Sequence, residues 1–195
     1  MIRLKHDLIL ASASPRRREL LTEAGYAFTV EPAQVSEPQL PNGKALSAAV
    51  WAEALAYFKA RAVAQYHPDA LVLGADTVVS FENKIIGKAA DIDDARRILT
   101  NLFGGSNDII TGIALLVPRS ESRVIAHVST RLTMKPMSSA EVEAYLATGA
   151  WQDKAGAYAI QEGGDQFVES IDGSLSNVVG LPMEKIGEIL EPYRD

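Results

Sequence analysis

The chain contains no cysteine, which excludes a disulfide framework, a thiol nucleophile and a thiolate-bound metal. Nor does it hold an apolar run of more than about half a dozen residues, far short of the ~18 needed for a membrane-crossing helix. Its opening, MIRLKHDLILAS, is charged within and after its start and lacks the apolar centre of a signal peptide. A soluble protein of the reducing cytoplasm is the expectation. The signatures GxxxxGK(S/T), GxGxxG and HExxH are missing, and GGSND at 104–108 fails GxSxG at its last position. A P-loop ATPase, a dinucleotide oxidoreductase, a zinc protease and a serine hydrolase therefore lose their main signals. His6, His67 and His127 have no neighbouring ligand pattern. Cations are the minority sign, 19 Lys and Arg against 25 Asp and Glu, for a net charge of −6. That balance opposes sequence-independent binding to nucleic-acid polymers.

What is present suits a folded domain. The 195 residues, 47% apolar and 23% charged, point to one domain over 1–195, able to bury about 70% of its unfolded surface. Leu8 to Ser12 reads as a buried strand. Ser14 followed by Pro15 is an N-cap and N1 proline, opening a helix that Gly25 closes. Tyr26 to Glu31 alternates like a second strand, and the proline-rich stretch QVSEPQLPNGK is a loop too long for a mere connection. An alanine-rich helix is expected from Ala45 to Tyr66. ALVLGADTVVSF follows as a strand with an acidic break at Asp76, turned at Glu82-Asn83 into KIIGK. A helix over Asp91 to Leu102 precedes two strands, DIITGIALLV and RVIAHVSTRLT. Ser138 with Glu141 forms a capping box for a helix to Thr148. The stretch AGAYAIQEGGDQFVESIDGSLSNVVGLP reads as short β-like runs, and a final helix runs from Pro182 to about Leu190. The sum is an α/β fold with an antiparallel portion.

Two features carry chemistry. Arg16, Arg17 and Arg18 occupy the first turn of a helix, whose positive end disfavours cations by about 0.3–1 kcal/mol each. They make sense if an anion docks on the free N–H groups and the guanidiniums grip its oxygens; a solvated charge run is the other reading, and the Ser12 and Ser14 hydroxyls suit either. Asp76 lies in an apolar neighbourhood, where an ionised carboxylate needs a partner, a metal or a set of donors. Gly74 and Ala75 leave room for a ligand at the backbone. Asp76 as a strand-end residue capping a turn with Thr77 is the alternative. Glu37, from the proline-flanked loop, offers a second carboxylate for a Mg²⁺-type ion; taken alone it reads first as a surface residue. Lys59 and Lys88 offer point charges for phosphate, unless their stems simply lie along apolar surface.

In this order the segments LILASASPRRRELL, VSEP, FKARAVA, VLGADTVV, IIGKAADIDDARRIL, ITGIAL, DKAGAYAIQEGG and NVVGLP resemble the Maf family of nucleoside triphosphate pyrophosphatases, also known as septum-formation inhibitor proteins. The resemblance covers nearly the whole chain. It implies an elongated mixed β-sheet flanked by helices, with two lobes around a cleft, similar to the inosine triphosphate pyrophosphatases. It also implies cleavage of a nucleoside triphosphate to the monophosphate and pyrophosphate, with a homodimer as the expected assembly. Carried over by position, Asp76 is the family's catalytic proton acceptor. Ser12, Arg16, Arg17, Glu37, Lys59 and Lys88 fall on its substrate- or metal-handling positions. The sequence departs from the family's pattern at Ala89, where proline is usual, at Asn107, where histidine is common, and at Leu175, where tyrosine is common.

On this reading Glu37 and Asp76 hold a divalent cation (Mg²⁺, Mn²⁺ or Co²⁺), since oxygen ligands accept all three. The ion polarises the α-phosphoryl oxygen and orients a water. Asp76 takes that water's proton or holds the metal; the arginines and Lys88 neutralise the triphosphate and the leaving pyrophosphate. The resemblance also implies that Arg16, Thr77 and Gln161 mark the branch acting on dTTP and UTP. A glutamine amide, both donor and acceptor, suits the O–NH–O edge of uracil or thymine. The sibling branch, for 7-methyl-GTP, has Trp, Gln and Glu there. A cell-division regulator that binds nucleotide as a signal is the competing class.

Overall fold

The computed structural model describes residues 2–36, 38, 46–120, 122–152, 154–158 and 165–195. Its centre is a mixed sheet of seven strands: β1 (Leu8–Leu10), β2 (Thr29–Val30), β3 (Leu71–Phe81), β4 (Lys84–Ile86), β5 (Ser106–Leu116), β6 (Arg123–Met134) and β7 (Val168–Asp172). The order is β2-β1-β3-β5-β6-β7, with β4 paired to β3 off this path. β1 is parallel to both β2 and β3, and the remaining pairs are antiparallel. The helices are α1 (Pro15–Glu23), α2 (Ala48–Ala64), α3 (Ile92–Leu102), α4 (Ser139–Ala147), α5 (Leu175–Val179) and α6 (Met183–Leu190). The expected mixed α/β sheet flanked by helices is what forms. Among the described residues no helix is long and apolar enough to cross a membrane.

Local chemistry explains most boundaries. Pro15 occupies the start of α1, but Ser14, although at the N-cap, makes no side-chain capping bond. Ser47, Asp91 and Ser138 each accept from the backbone of the following first turn, and Ser138 with Glu141 completes the capping box. Glu82 and Asn83 both take positive φ, 50° and 61°, the geometry of a two-residue hairpin turn whose twist matches its strands. β5 and β6 pair in unbroken register from Ser106↔Thr133 to Leu116↔Arg123.

Two expectations need correction. The strand expected over Tyr26 to Glu31 shrinks to Thr29–Val30, because only these residues lie beside β1; Tyr26 makes an isolated bridge to Ile2. The stretch containing SNVVG is not β-like throughout. β7 is, but residues 175–179 form α5, which Ser174 starts by accepting from the Asn177 N–H at 3.1 Å.

Among the described residues, α2 is the helix that packs on one face of the sheet's centre, against β3 and β5. Gly74 on β3 and Gly112 on β5 permit this contact. A Cβ on Gly112 would lie 2.2 Å from the Ala52 carbonyl, and one on Gly74 would lie 2.3 Å from the Ala56 carbonyl. The opposite face holds two apolar cores. One gathers Leu10, Leu21, Leu73, Ile113, Leu181 and Ile186 under α1 and α6; the other gathers Val79, Leu99, Leu132, Met134, Leu146 and Phe167 under α3 and α4. Between them runs a polar belt containing Thr77, Thr111, Thr130 and Asn177.

Candidate active site

β3 is flanked on one edge by β5 along nearly its whole length, from Val72↔Leu116 to Ser80↔Asp108. Its other edge is shared. β1 covers Leu71–Leu73 and β4 covers Val79–Phe81. Between them, among the described residues, no strand pairs with 74–78. Asp76 sits in the middle of that interval. It is therefore a mid-strand residue, not a strand-end cap, and it is held on a rigid element beside an open backbone edge.

Strand alternation sorts the neighbours. Gly74, Asp76 and Val78 face α2. Lys59, one residue from the Ala60 that packs near Gly74, reaches Asp76 from that helix: Lys59 Nζ donates to Asp76 Oδ1 at 2.5 Å. Both side chains are mostly buried, 16% and 11% exposed. An ionised carboxylate so placed requires a cationic partner, and the alanine-rich face of α2 supplies one by lying close to the sheet.

Thr77 points to the other face. There Arg17, 9% exposed, enters from the first turn of α1. Its Nε donates to the Gly180 carbonyl at 2.8 Å and one terminal nitrogen donates to Ser12 Oγ at 3.0 Å and the Ala75 carbonyl at 2.9 Å. The other donates to Thr77 Oγ1 at 3.0 Å. Gly180 offers its carbonyl from φ +129°, a conformation that favours glycine. Arg17 thus ties the end of β1, the open edge of β3 and the turn after α5 into one unit. The cost of a cation at a helix N-terminus is offset by four bonds to protein acceptors.

The remaining residues expected at the site lie on its rim. Ser12 follows β1 by two residues and is buried, accepting also from the Ser14 N–H at 3.3 Å. Arg16 and Ser14 are half-buried at the start of α1. Lys88 follows β4 by two residues, exposed, with its backbone bridged to Ala155. Ser12 and Lys88 therefore approach the open interval of β3 from its two ends. Glu37 and Gln161 lie outside the described residues. A groove of about 670 Å³ lined by Asp7, Phe28, Tyr66, His67 and Asp69 sits beside β2 and contains none of these residues.

Sequence reasoning missed Thr111 and Asn177. Both are fully buried, and Thr111 lies directly opposite Thr77 in the ladder. A threonine inside the apolar run of ITGIAL was the available signal.

For a divalent cation the donor chemistry is favourable but sparse. Asp76 is a hard oxygen donor at the open edge, while no group of three or more metal-ligating side chains occurs among the described residues. One carboxylate completed by water and by substrate phosphates is a normal arrangement for Mg²⁺-type ions. Asp76 fits that role, and the cation would supply Lewis-acid polarisation of the phosphoryl oxygen.

The structure thus brings together, on an α/β scaffold, a carboxylate on a central strand, a lysine bonded to it, and Ser12 and Lys88 at the two ends of the interval between β1 and β4. The chain belongs to the Maf-like protein family, whose model matches residues 7–193. It is 46% identical over 187 residues to a dTTP/UTP pyrophosphatase of Alkaliphilus metalliredigens, covering 95% of each chain. It is 44% identical over 183 residues to a dTTP/UTP pyrophosphatase of Moorella thermoacetica, covering 94% of this chain and 93% of that one. Among solved structures it is similar to a HAM1 protein from Coxiella burnetii, with TM-score 0.49 and 14% identity over 96% of this chain and 99% of the other.

Proposed function

We propose that the protein hydrolyses dTTP and UTP to the monophosphate and pyrophosphate, as the names of its relatives state for them. The observation that carries this reading is Asp76, held by Lys59 at 2.5 Å in the stretch of β3 between its pairings with β1 and β4, where no described strand covers that edge. Water attacks the α-phosphorus, the bond to the α–β bridging oxygen breaks, and Asp76 takes the water's proton. Lys59 fixes the carboxylate and keeps its lone pairs directed at the open edge. Arg16 and Lys88 neutralise the triphosphate and the pyrophosphate as it leaves. Ser12 and Ser14 line the phosphate path, and Arg17 organises it.

Asp76, with Glu37 from the proline-flanked loop, would hold the divalent cation. Gln161 would read the pyrimidine edge through its paired donor and acceptor. The whole chain is read as one catalytic unit, working in the cytoplasm as a homodimer. Substrate with about four negative charges is drawn by local cations despite the net charge of −6.

The test is hydrolysis in ¹⁸O-labelled water across dTTP, UTP, CTP, GTP and 7-methyl-GTP, with Mg²⁺ or Mn²⁺. The label is expected in UMP and dTMP, with unlabelled pyrophosphate and the two pyrimidines preferred. Label in pyrophosphate would place the attack on the β-phosphorus and sink the mechanism. Preference for a purine would discard the role given to Gln161.

A further inference from the structure

The belt beneath the sheet has a direction. A guanidinium only donates hydrogen bonds, so Thr77 Oγ1 accepts from Arg17 at 3.0 Å. On the far side, Thr111 Oγ1 faces the Asn177 carbonyl at 3.4 Å and must donate to it. The intervening contact, Thr77 Oγ1 to Thr111 Oγ1 at 2.9 Å, is then settled: Thr77 donates and Thr111 accepts. The chain Arg17→Thr77→Thr111→Asn177 runs one way, each hydroxyl accepting from one neighbour and donating to the next. Such chains strengthen their members mutually, and in a buried setting a missing link leaves its neighbour unsatisfied.

The far end is anchored. The Asn177 Nδ2 group donates to the Ile109 carbonyl at 2.9 Å and to Thr130 Oγ1 at 3.0 Å. Thr130 Oγ1 in turn donates to the Ser174 carbonyl and accepts from the Ser174 N–H, both at 3.1 Å. α5 is thereby fixed to β5 and β6, and the turn that follows it presents the Gly180 carbonyl to Arg17 Nε. Arg17 is thus located from two sides, by the hydroxyl chain and by the end of α5.

We infer that Thr111 and Asn177 are positioning residues for the reaction, acting through Thr77 and Arg17 on the Ser12 turn and the open edge of β3. The inference rests on the pyrophosphatase reading for its effect on rate, but the link to Arg17 has its own readout. Neither Thr111 nor Asn177 is exposed to substrate, since both are fully buried, and Asp76 faces the opposite side of the sheet. Loss of the Thr111 hydroxyl should therefore lower turnover while leaving substrate affinity nearly untouched.

The experiment compares Thr111→Val with Thr111→Ser. For each, kcat and KM for pyrophosphate release from UTP are measured well below the melting temperature. In parallel, the Arg17 Nε–H resonance is followed by ¹⁵N NMR and assigned by its loss in Arg17→Lys. Thr111→Val is expected to lower kcat about tenfold with KM within about twofold, and to speed exchange of the Arg17 Nε–H about tenfold. Thr111→Ser, which keeps the hydroxyl, is expected to match wild type in both. Thr77→Val reads the same link if Thr111→Val does not fold. A folded Thr111→Val with wild-type kcat, a loss confined to KM, or an equal defect in Thr111→Ser would overturn the inference. Should the wild-type protein release no pyrophosphate, the pyrophosphatase reading fails on its own. An Nε–H unchanged by Thr111→Val would then overturn the positioning link separately.

Discussion

Replacing Gly112 with alanine tests how the catalytic pair is brought together. The new methyl would lie 2.2 Å from both the carbonyl carbon and oxygen of Ala52 and 2.4 Å from the Glu53 nitrogen. Carbon atoms in contact sit about 3.5–4.0 Å apart, so α2 must lift by more than about 1 Å or the strand must bend. No rotamer relieves the clash, because all three neighbours are backbone atoms. Overpacking of a well-filled site usually costs about 1–3 kcal/mol, and a backbone clash on this scale belongs at or above the upper end, about 3 kcal/mol. For a chain of this length each kcal/mol shifts Tm by about 2–4 °C, so a fall of about 6–12 °C is expected. Gly187→Ala is the internal control. It lies within α6, where nothing approaches within 4 Å, and alanine there should stabilise by about 0.5–1 kcal/mol. Thermal unfolding followed by circular dichroism reads both. Pyrophosphate release at a temperature where Gly112→Ala remains folded reads the displacement of Lys59 from Asp76, and a drop in rate is expected. A Gly112→Ala protein that melts within 2 °C of wild type and keeps its rate would refute the argument that close approach of α2 builds the site.

Two further outcomes follow from the helix ends and the surface carboxylates. Ser138→Ala removes the capping bond to the Glu141 N–H (3.3 Å) and should cost about 1 kcal/mol, seen as a Tm lower by about 2–4 °C; an unchanged Tm would show that α4 is held by packing alone. Acid should destabilise the fold. The Ala90 N–H, then Arg97, holds Asp94 below the ordinary carboxylate range; the Ser138 hydroxyl lowers Glu141, Arg96 lowers Glu143 and Arg119 lowers Asp69. The unfolded chain protonates first, at about 4.5 for Glu and 3.8 for Asp, so this stabilisation is complete above those values. It is lost as pH falls through the lowered folded values. A Tm series from pH 7 to 3 should therefore decline below about pH 5, and a flat series would count against these pairings.

The sequence was most legible where one local rule decides the outcome. The capping box at Ser138 and the tight turn at Glu82-Asn83 both formed as expected, because each is set by residues a few positions apart. Asp76 also stood out, since a carboxylate within an apolar run has few harmless explanations. What could not be read was which side of the sheet each residue faces once the helices are in place. Arg16 and Arg17 are adjacent in one basic run, yet the structure buries Arg17 against four protein acceptors and leaves Arg16 half-buried at the rim. Thr77 looked like a neighbour of Asp76, and strand alternation sends it to the opposite face. The Lys59–Asp76 pair depends on two glycines far apart in sequence. α5 was hidden because Val178 and Val179 favour strands, whereas capping by Ser174 and the tertiary bonds of Asn177 outweigh that weak preference.

The central claim is that Asp76 performs chemistry at the open edge of β3 and does not merely complete an ion pair. The most direct measurement is pyrophosphate release from dTTP and UTP by wild type and Asp76→Asn, with nucleotide binding measured on both by calorimetry. Asparagine keeps the size and shape of the side chain but accepts no proton at neutral pH. The expected result is retained binding with turnover lowered by about 10²–10⁴. Turnover by Asp76→Asn at the wild-type rate would contradict the account.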